Sequence, residues 1–169
     1  ANITLAEFDN VHRIVYERLP ITEAPKYVLQ PRGMTSLLDA IGITMNTYRD
    51  VETTGKRIAV VVTDGLENSS YEWTRDSVKE LISSLKDEGW EFLFLAADEE
   101  AISDAVSFGF DSDQTVQFER GVAGSSMAAY SAAATYTTSM RSGKTKSGAV
   151  ADMDAFVASN NESISKGKA

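Results

Sequence analysis

The chain has 169 residues, enough for one compact domain, and its 43% hydrophobic and 24% charged residues match a globular protein rather than a disordered or fibrous one. Sixteen Lys and Arg against twenty-five Asp and Glu give a formal net charge of -9, which repels a phosphate backbone and argues against nucleic acid as a partner. The absence of cysteine excludes disulfides, thiolate metal sites and cysteine nucleophiles.

Two hydrophobic periods alternate along the chain. Residues 3 to 8, ITLAEF, and 13 to 18, RIVYER, have the β-branched and aromatic content of strands and flank an Asp9-Asn10 turn, which predicts a hairpin. His12, the only histidine, alternates there with Ile14 and Tyr16, an ordinary surface or half-buried position. Pro20 and Pro25 punctuate a loop. After PRGMT, Leu37, Leu38, Ile41, Met45 and Tyr48 recur at helical spacing, predicting a helix that starts near Ser36 with Ser36 and Asp39 as a capping box. RIAVVV, residues 57 to 62, is apolar from Ile58 onward, as a strand covered on both faces should be.

The strand ends on Asp64-Gly65, and Asn68, Ser69 and Ser70 are expected to cap a helix beginning near Tyr71. Val78, Leu81, Ile82 and Leu85 fall at i, i+3, i+4 and i+7 before Gly89, a natural C-terminal stop. WEFLFLAAD then predicts a second buried strand, ended by Asp98. A helical stretch over 99 to 106, a last strand at 115 to 119 and an alanine-rich helix over 121 to 142, marked by Ala123, Met127, Tyr130 and Ala134, complete the pattern. Residues 1 to 142 read as one α/β domain. Residues 143 to 169 read as a linker, a short helix over 149 to 158 and a frayed polar tail.

The longest apolar runs, Ile58 to Val62 and Phe92 to Ala97, fall far short of the roughly 20 residues of a membrane-spanning helix. With no signal-like start visible, the expectation is a soluble chain compatible with the cytoplasm.

Strands alternating with helices at these lengths imply a mostly parallel sheet wrapped on both faces by helices, the hairpin adding one antiparallel edge strand. In open sheets of this kind ligands sit beyond the carboxyl ends of the strands, and Asp64 stands at that rim. The ordered pair RGMTSLLDAI (32 to 41) and VVVTDGLENSS (60 to 70) resembles the second and third metal-site loops of a von Willebrand factor A domain, a Rossmann-like fold. The resemblance spans about residues 3 to 142. It implies that Thr35 and Asp64 help hold a divalent cation, usually magnesium, at the top of the sheet. Magnesium prefers hard oxygen ligands and keeps several waters, so one carboxylate plus a hydroxyl suits it and leaves room for a partner's acid.

The chain departs from the family in one respect. The primary metal motif, Asp-x-Ser-x-Ser after the first strand, does not occur, and the sequence opens at the hairpin. In the family that strand lies between those of residues 3 to 8 and 57 to 63, and inner edges left unpaired there would cost about 1–3 kcal/mol per desolvated backbone group. Three explanations are open: a strand and helix of about 25 to 45 residues precede Ala1, the flanking strands close up directly, or another chain donates a strand. The first is favoured.

SGKT at 142 to 145 follows a helix rather than a strand and reads as a linker, not a phosphate loop. The acid pairs at 111 to 113 and 152 to 154 read as solvated turns or helix starts. No catalytic residue is assigned, since the usual triads cannot be assembled from one histidine and no cysteine. The expected function is a binding module whose rim, Asp9, Met34, Thr35, Asp64 and Glu67, engages a protein that offers a Glu or Asp to the metal. The alternative is a metal-independent scaffold with a degenerate site; a magnesium-dependent phosphotransfer enzyme ranks third.

Overall fold

The computed structural model describes residues 1–28, 30, 33–119 and 124–166; Arg32, Ala123 and the last three residues of the expected polar tail lie outside the described residues. The hairpin forms from β1 (Asn2–Phe8) and β2 (His12–Pro20), paired antiparallel from Asn2 opposite Pro20 to Phe8 opposite His12. The register shifts between Ile3 and Ala6. Near this irregularity Arg18 takes a positive φ of 48° and its N–H donates to Thr4 Oγ1 at 3.1 Å.

Helix α1 (Leu37–Tyr48) leads to β3 (Arg57–Thr63), then α2 (Arg75–Asp87), β4 (Trp90–Ala96), α3 (Glu99–Ser107), a 3-10 turn at Ser112–Gln114, and β5 (Thr115–Gln117). The three strands pair in parallel in the order β3-β4-β5, with Arg57 opposite Trp90 and Phe94 opposite Thr115. Helices α4 (Ser125–Arg141) and α5 (Lys146–Lys166) complete the chain.

Alternation along β3 and β4 sorts side chains onto two faces. Ala59, Val61, Phe92, Phe94 and Ala96 join the buried faces of α1, α2 and α3. Ile58, Val62, Leu93 and Leu95 join α4 and α5. Edge-to-face contacts among Phe92, Phe94, Phe108 and Phe110, with centroids 4.9 to 6.4 Å apart, tighten the first core; each is worth about 0.5–1.5 kcal/mol beyond burial.

The α/β class is as expected, but the sheet is split. Among the described residues β1 and β2 form their own two-stranded sheet rather than an antiparallel edge of the parallel one. The flanking strands have therefore not closed up. The hairpin is held instead by side chains, Phe8 and Ile14 packing against the first core, and by His12 Nε2, 2.8 Å from Thr44 Oγ1 on α1. Burial lowers the His12 pKa.

Two helix starts also differ. Ser36 occupies the N-cap of α1 without a side-chain cap bond, because its hydroxyl pairs with Ser69 Oγ at 2.7 Å. Helix α2 starts at Arg75, not near Tyr71; Thr74 caps it through a capping box with Ser77. At its far end Gly89, with φ at +85°, donates its N–H to Lys86 O, the left-handed stop that glycine permits.

Beyond α4, SGKT is the turn into α5: Thr145 Oγ1 accepts from Gly148 N at 3.2 Å. Helix α5 is longer than the expected 149-to-158 helix, and Ala149, Val150 and Met153 are buried in the second core. One acid of each pair has a structural part. Asp111 bridges Lys86 and Lys146, and Asp152 bonds to Lys144 and Ser139. Among the described residues no helix is long and apolar enough to cross a membrane.

Candidate functional site

The carboxyl ends of β1 and β3 meet the start of α1 at one pole. The Ser36 N–H donates to Asp9 O at 2.8 Å, tying the end of β1 to the helix entry. Thr35 and Asn68 exchange bonds, Thr35 N to Asn68 Oδ1 at 2.8 Å and Asn68 N to Thr35 O at 3.0 Å, which joins the helix entry to the loop after β3. Within that loop Thr63 Oγ1 donates to Gly65 O and accepts from Gly65 N, fixing the turn that carries Asp64.

These bonds bring Thr35 and Asp64 to the same place. A Cβ added at Gly65 would lie 2.6 Å from Thr35 Oγ1, so the hydroxyl sits in space that only glycine leaves open, one residue from Asp64. The Asp64 side chain is exposed. Met34 is 53% exposed beside them. Asp9 Oδ1 accepts from Val11 N at 2.7 Å, and Gly33, with φ at +63°, closes against Asp9 and Asn10.

Glu67 has a different place from the one its position suggested. Its carboxylate points into the molecule and accepts from Leu38 N (2.9 Å), Ser69 N (2.9 Å), Ser70 N (2.8 Å) and Ser70 Oγ (2.7 Å). Burial pushes its pKa up, but the bonds from Leu38, Ser70 and Ser69 outweigh that and hold it below the usual carboxylate range. Glu67 thus caps α1, whose first N–H groups have no partner within the helix. The Asp39 N–H goes to Ser70 Oγ at 3.0 Å.

Asp39, whose functional weight sequence reasoning missed, returns the cap. Only 4% exposed, it accepts from Tyr71 N (3.0 Å), Glu72 N (3.0 Å) and Trp73 N (2.8 Å). The loop of residues 64 to 74 is therefore bolted to α1 at both ends. Its spacing from Ser36 pointed to a local cap; a carboxylate in a buried helical turn with no neighbouring cation was the signal for a long-range one.

Thr35 and Asp64 offer one hydroxyl and one carboxylate on adjoining loops, the hard oxygen donors that magnesium prefers. Among the described residues no group of three or more His, Cys, Asp or Glu converges to hold a metal. A surface depression at the opposite pole is lined by Arg49, Asp50, Glu52, Arg57 and Glu88. Its guanidiniums are engaged: Arg49 with Ser84 and Glu88, Arg57 with the Arg49 and Glu88 carbonyls and the Trp90 ring.

Comparison with protein-family models, with curated proteins and with solved structures finds no match for this chain.

Proposed function

We propose that the chain is a protein-binding module of von Willebrand factor A type. Its rim engages a protein partner through a magnesium ion held by Thr35 and Asp64, with a Glu or Asp of the partner completing the shell. The observation that carries this reading is the Thr35 hydroxyl seated against Gly65, beside the exposed Asp64, at the carboxyl end of a parallel strand. Ligands of open α/β sheets collect at that end. Asp9 and Met34 flank the ion, and Glu67 acts as a positioning residue that holds the Asp64 loop on α1. The finer fold description, a Rossmann-like sheet of that family, belongs to the same proposal.

Calorimetry with magnesium and with manganese tests it, comparing the parent chain with Asp64→Ala. Heat in the parent that vanishes in the variant supports the reading. Equal heat in both removes Asp64 from the site.

A second reading, a scaffold without metal, draws on the absence of a convergent acidic cluster among the described residues and on Met127 and Tyr130, 67% and 49% exposed on the alanine-rich α4. No heat with either cation, together with concentration-dependent association lost in Met127→Glu, favours it.

A further inference from the structure

Helix α4 turns one side inward and leaves the other uncovered. Ala129, Ala132, Ala133, Tyr136 and Met140 sit in the second core. Met127, Tyr130, Ala134, Thr138 and Arg141 are exposed and follow one another in steps of three, four, four and three residues, which keeps them on one side of a helix. A surface helix ordinarily turns charge outward, and α2 does so with Arg75, Asp76, Lys79, Glu80 and Asp87. The outer stripe of α4 holds a single charge, Arg141 at its end, while Met127 is 67% and Tyr130 49% exposed.

The charge of the chain bears on what covers this stripe. All twenty-five Asp and Glu lie outside residues 120 to 151, which carry four of the sixteen Lys and Arg. Two copies with a net charge of -9 repel one another wherever acid meets acid. A helix-to-helix contact along α4 sets no acid of one copy against an acid of the other.

The stripe is also complementary to its own reverse. Ala134 lies midway between Met127 and Arg141, and Tyr130 and Thr138 stand four residues to either side of it. A two-fold axis through Ala134 would set two α4 helices antiparallel, with Tyr130 opposite Thr138 and Met127 opposite Arg141. Ala134 would meet its own copy at the centre, where a small side chain lets the helices approach closely. At each end the stem of Arg141 would cover Met127, with its guanidinium within reach of the Tyr130 ring, which attracts a cation.

We infer that the outer face of α4 is an interface between two copies of this chain, packed antiparallel about a two-fold axis at Ala134. Closed dimers of this isologous kind are the commonest oligomers. The inference holds with or without magnesium, because it concerns a helix face rather than the rim. To the metal-free scaffold reading it adds the partner, a second copy, and the symmetry of the contact.

Sedimentation velocity tests it. Seventeen helical residues make a rod about 25 Å long. One such pair covers less than the roughly 1,200 Å2 of a standard interface, so the equilibrium is sought at about 0.5 mM chain, in about 0.15 M salt to screen long-range repulsion. The parent is expected to sediment in part as a dimer. Ala134→Glu and Ala134→Lys replace an exposed alanine with good helix formers, and circular dichroism should show the parent's helix content in both. Each sets like charges against one another across the axis, so each should weaken association at least about tenfold. An equimolar mixture of the two, in which the introduced acid faces the introduced amine, should associate again. The inference is overturned by a parent that stays monomeric at that concentration, a result that needs neither variant to fold. It is equally overturned by a mixture that stays apart, or by one of the two variants associating as the parent does, the mark of a contact with a different face or a different protein.

Discussion

Asp39 and Glu67 cap each other's segments: Asp39 on α1 accepts three backbone N–H groups at residues 71 to 73, and Glu67 in the loop accepts the Leu38 N–H at the start of α1. Two carboxylates, each spent on the other's chain segment, fix the loop that carries Asp64. Asp39 is buried, whereas Tyr71 is 82% exposed, so removing the Asp39 carboxylate leaves three N–H donors without their acceptor, and each that stays desolvated costs about 1–3 kcal/mol. Asp39→Ala should lower stability by about 3 kcal/mol in urea unfolding. A loss below about 0.5 kcal/mol, the range of ordinary surface changes, would show that the three bonds carry little.

Glu67 sets an acid limb to stability. Its folded-state pKa lies below the ordinary value of 4.5, so the stabilisation it provides is fully present above that value. It fades as pH falls through the lower folded value, where the carboxylate takes a proton that the unfolded chain already holds. Glu67→Gln should reduce stability at pH 7 and flatten the part of the stability-versus-pH curve below 4.5. A parent and variant whose curves stay parallel down to acid would contradict the assignment. The group is partly exposed, so the effect is smaller than for a buried carboxylate.

Much of the fold was legible in the sequence, and the exceptions share a cause. β3 and β4 were marked by unbroken apolar runs, and α2 by Val78, Leu81, Ile82 and Leu85, because period and burial are local properties of the chain. Caps were not. The Ser36/Asp39 spacing met the capping-box rule, yet Ser69 takes the Ser36 hydroxyl and residues 71 to 73 take Asp39, partners more than 30 positions away that no local rule sees. The approach of Thr35 to Gly65, next to Asp64, agrees with what the resemblance of their two loops implied. The inward turn of Glu67 was not readable, since it depends on the Leu38 N–H being unsatisfied in three dimensions. Similarly, the burial of Ala149, Val150 and Met153 of α5 in the second core is a tertiary contact that polar composition masks.

Gly42 lies beneath the Trp73 indole so closely that an added Cβ would stand 2.0 Å from Cδ2 of the ring. In an exposed helix Gly→Ala gains up to about 1 kcal/mol, whereas overpacking costs about 1–3 kcal/mol. The whole ring must shift at such a separation, so overpacking wins. Gly42→Ala should lower the melting temperature and shift Trp73 fluorescence to the red. A stabilised variant with unchanged emission would mean that the indole has room to move.

Thr35→Val separates the hydroxyl from everything else Thr35 does. Valine keeps the β-branch that packs beside Gly65, and both bonds to Asn68 use the Thr35 backbone, so stability should change by no more than about 0.5 kcal/mol. What disappears is the hydroxyl oxygen proposed to hold magnesium. Magnesium heat should fall to the level of Asp64→Ala, and the double variant should lose no more than either single one, because two ligands of one ion are not additive. Fully additive losses would place the two residues in separate sites, and a Thr35→Val chain that binds magnesium as the parent does would leave the threonine with a purely structural part in the rim.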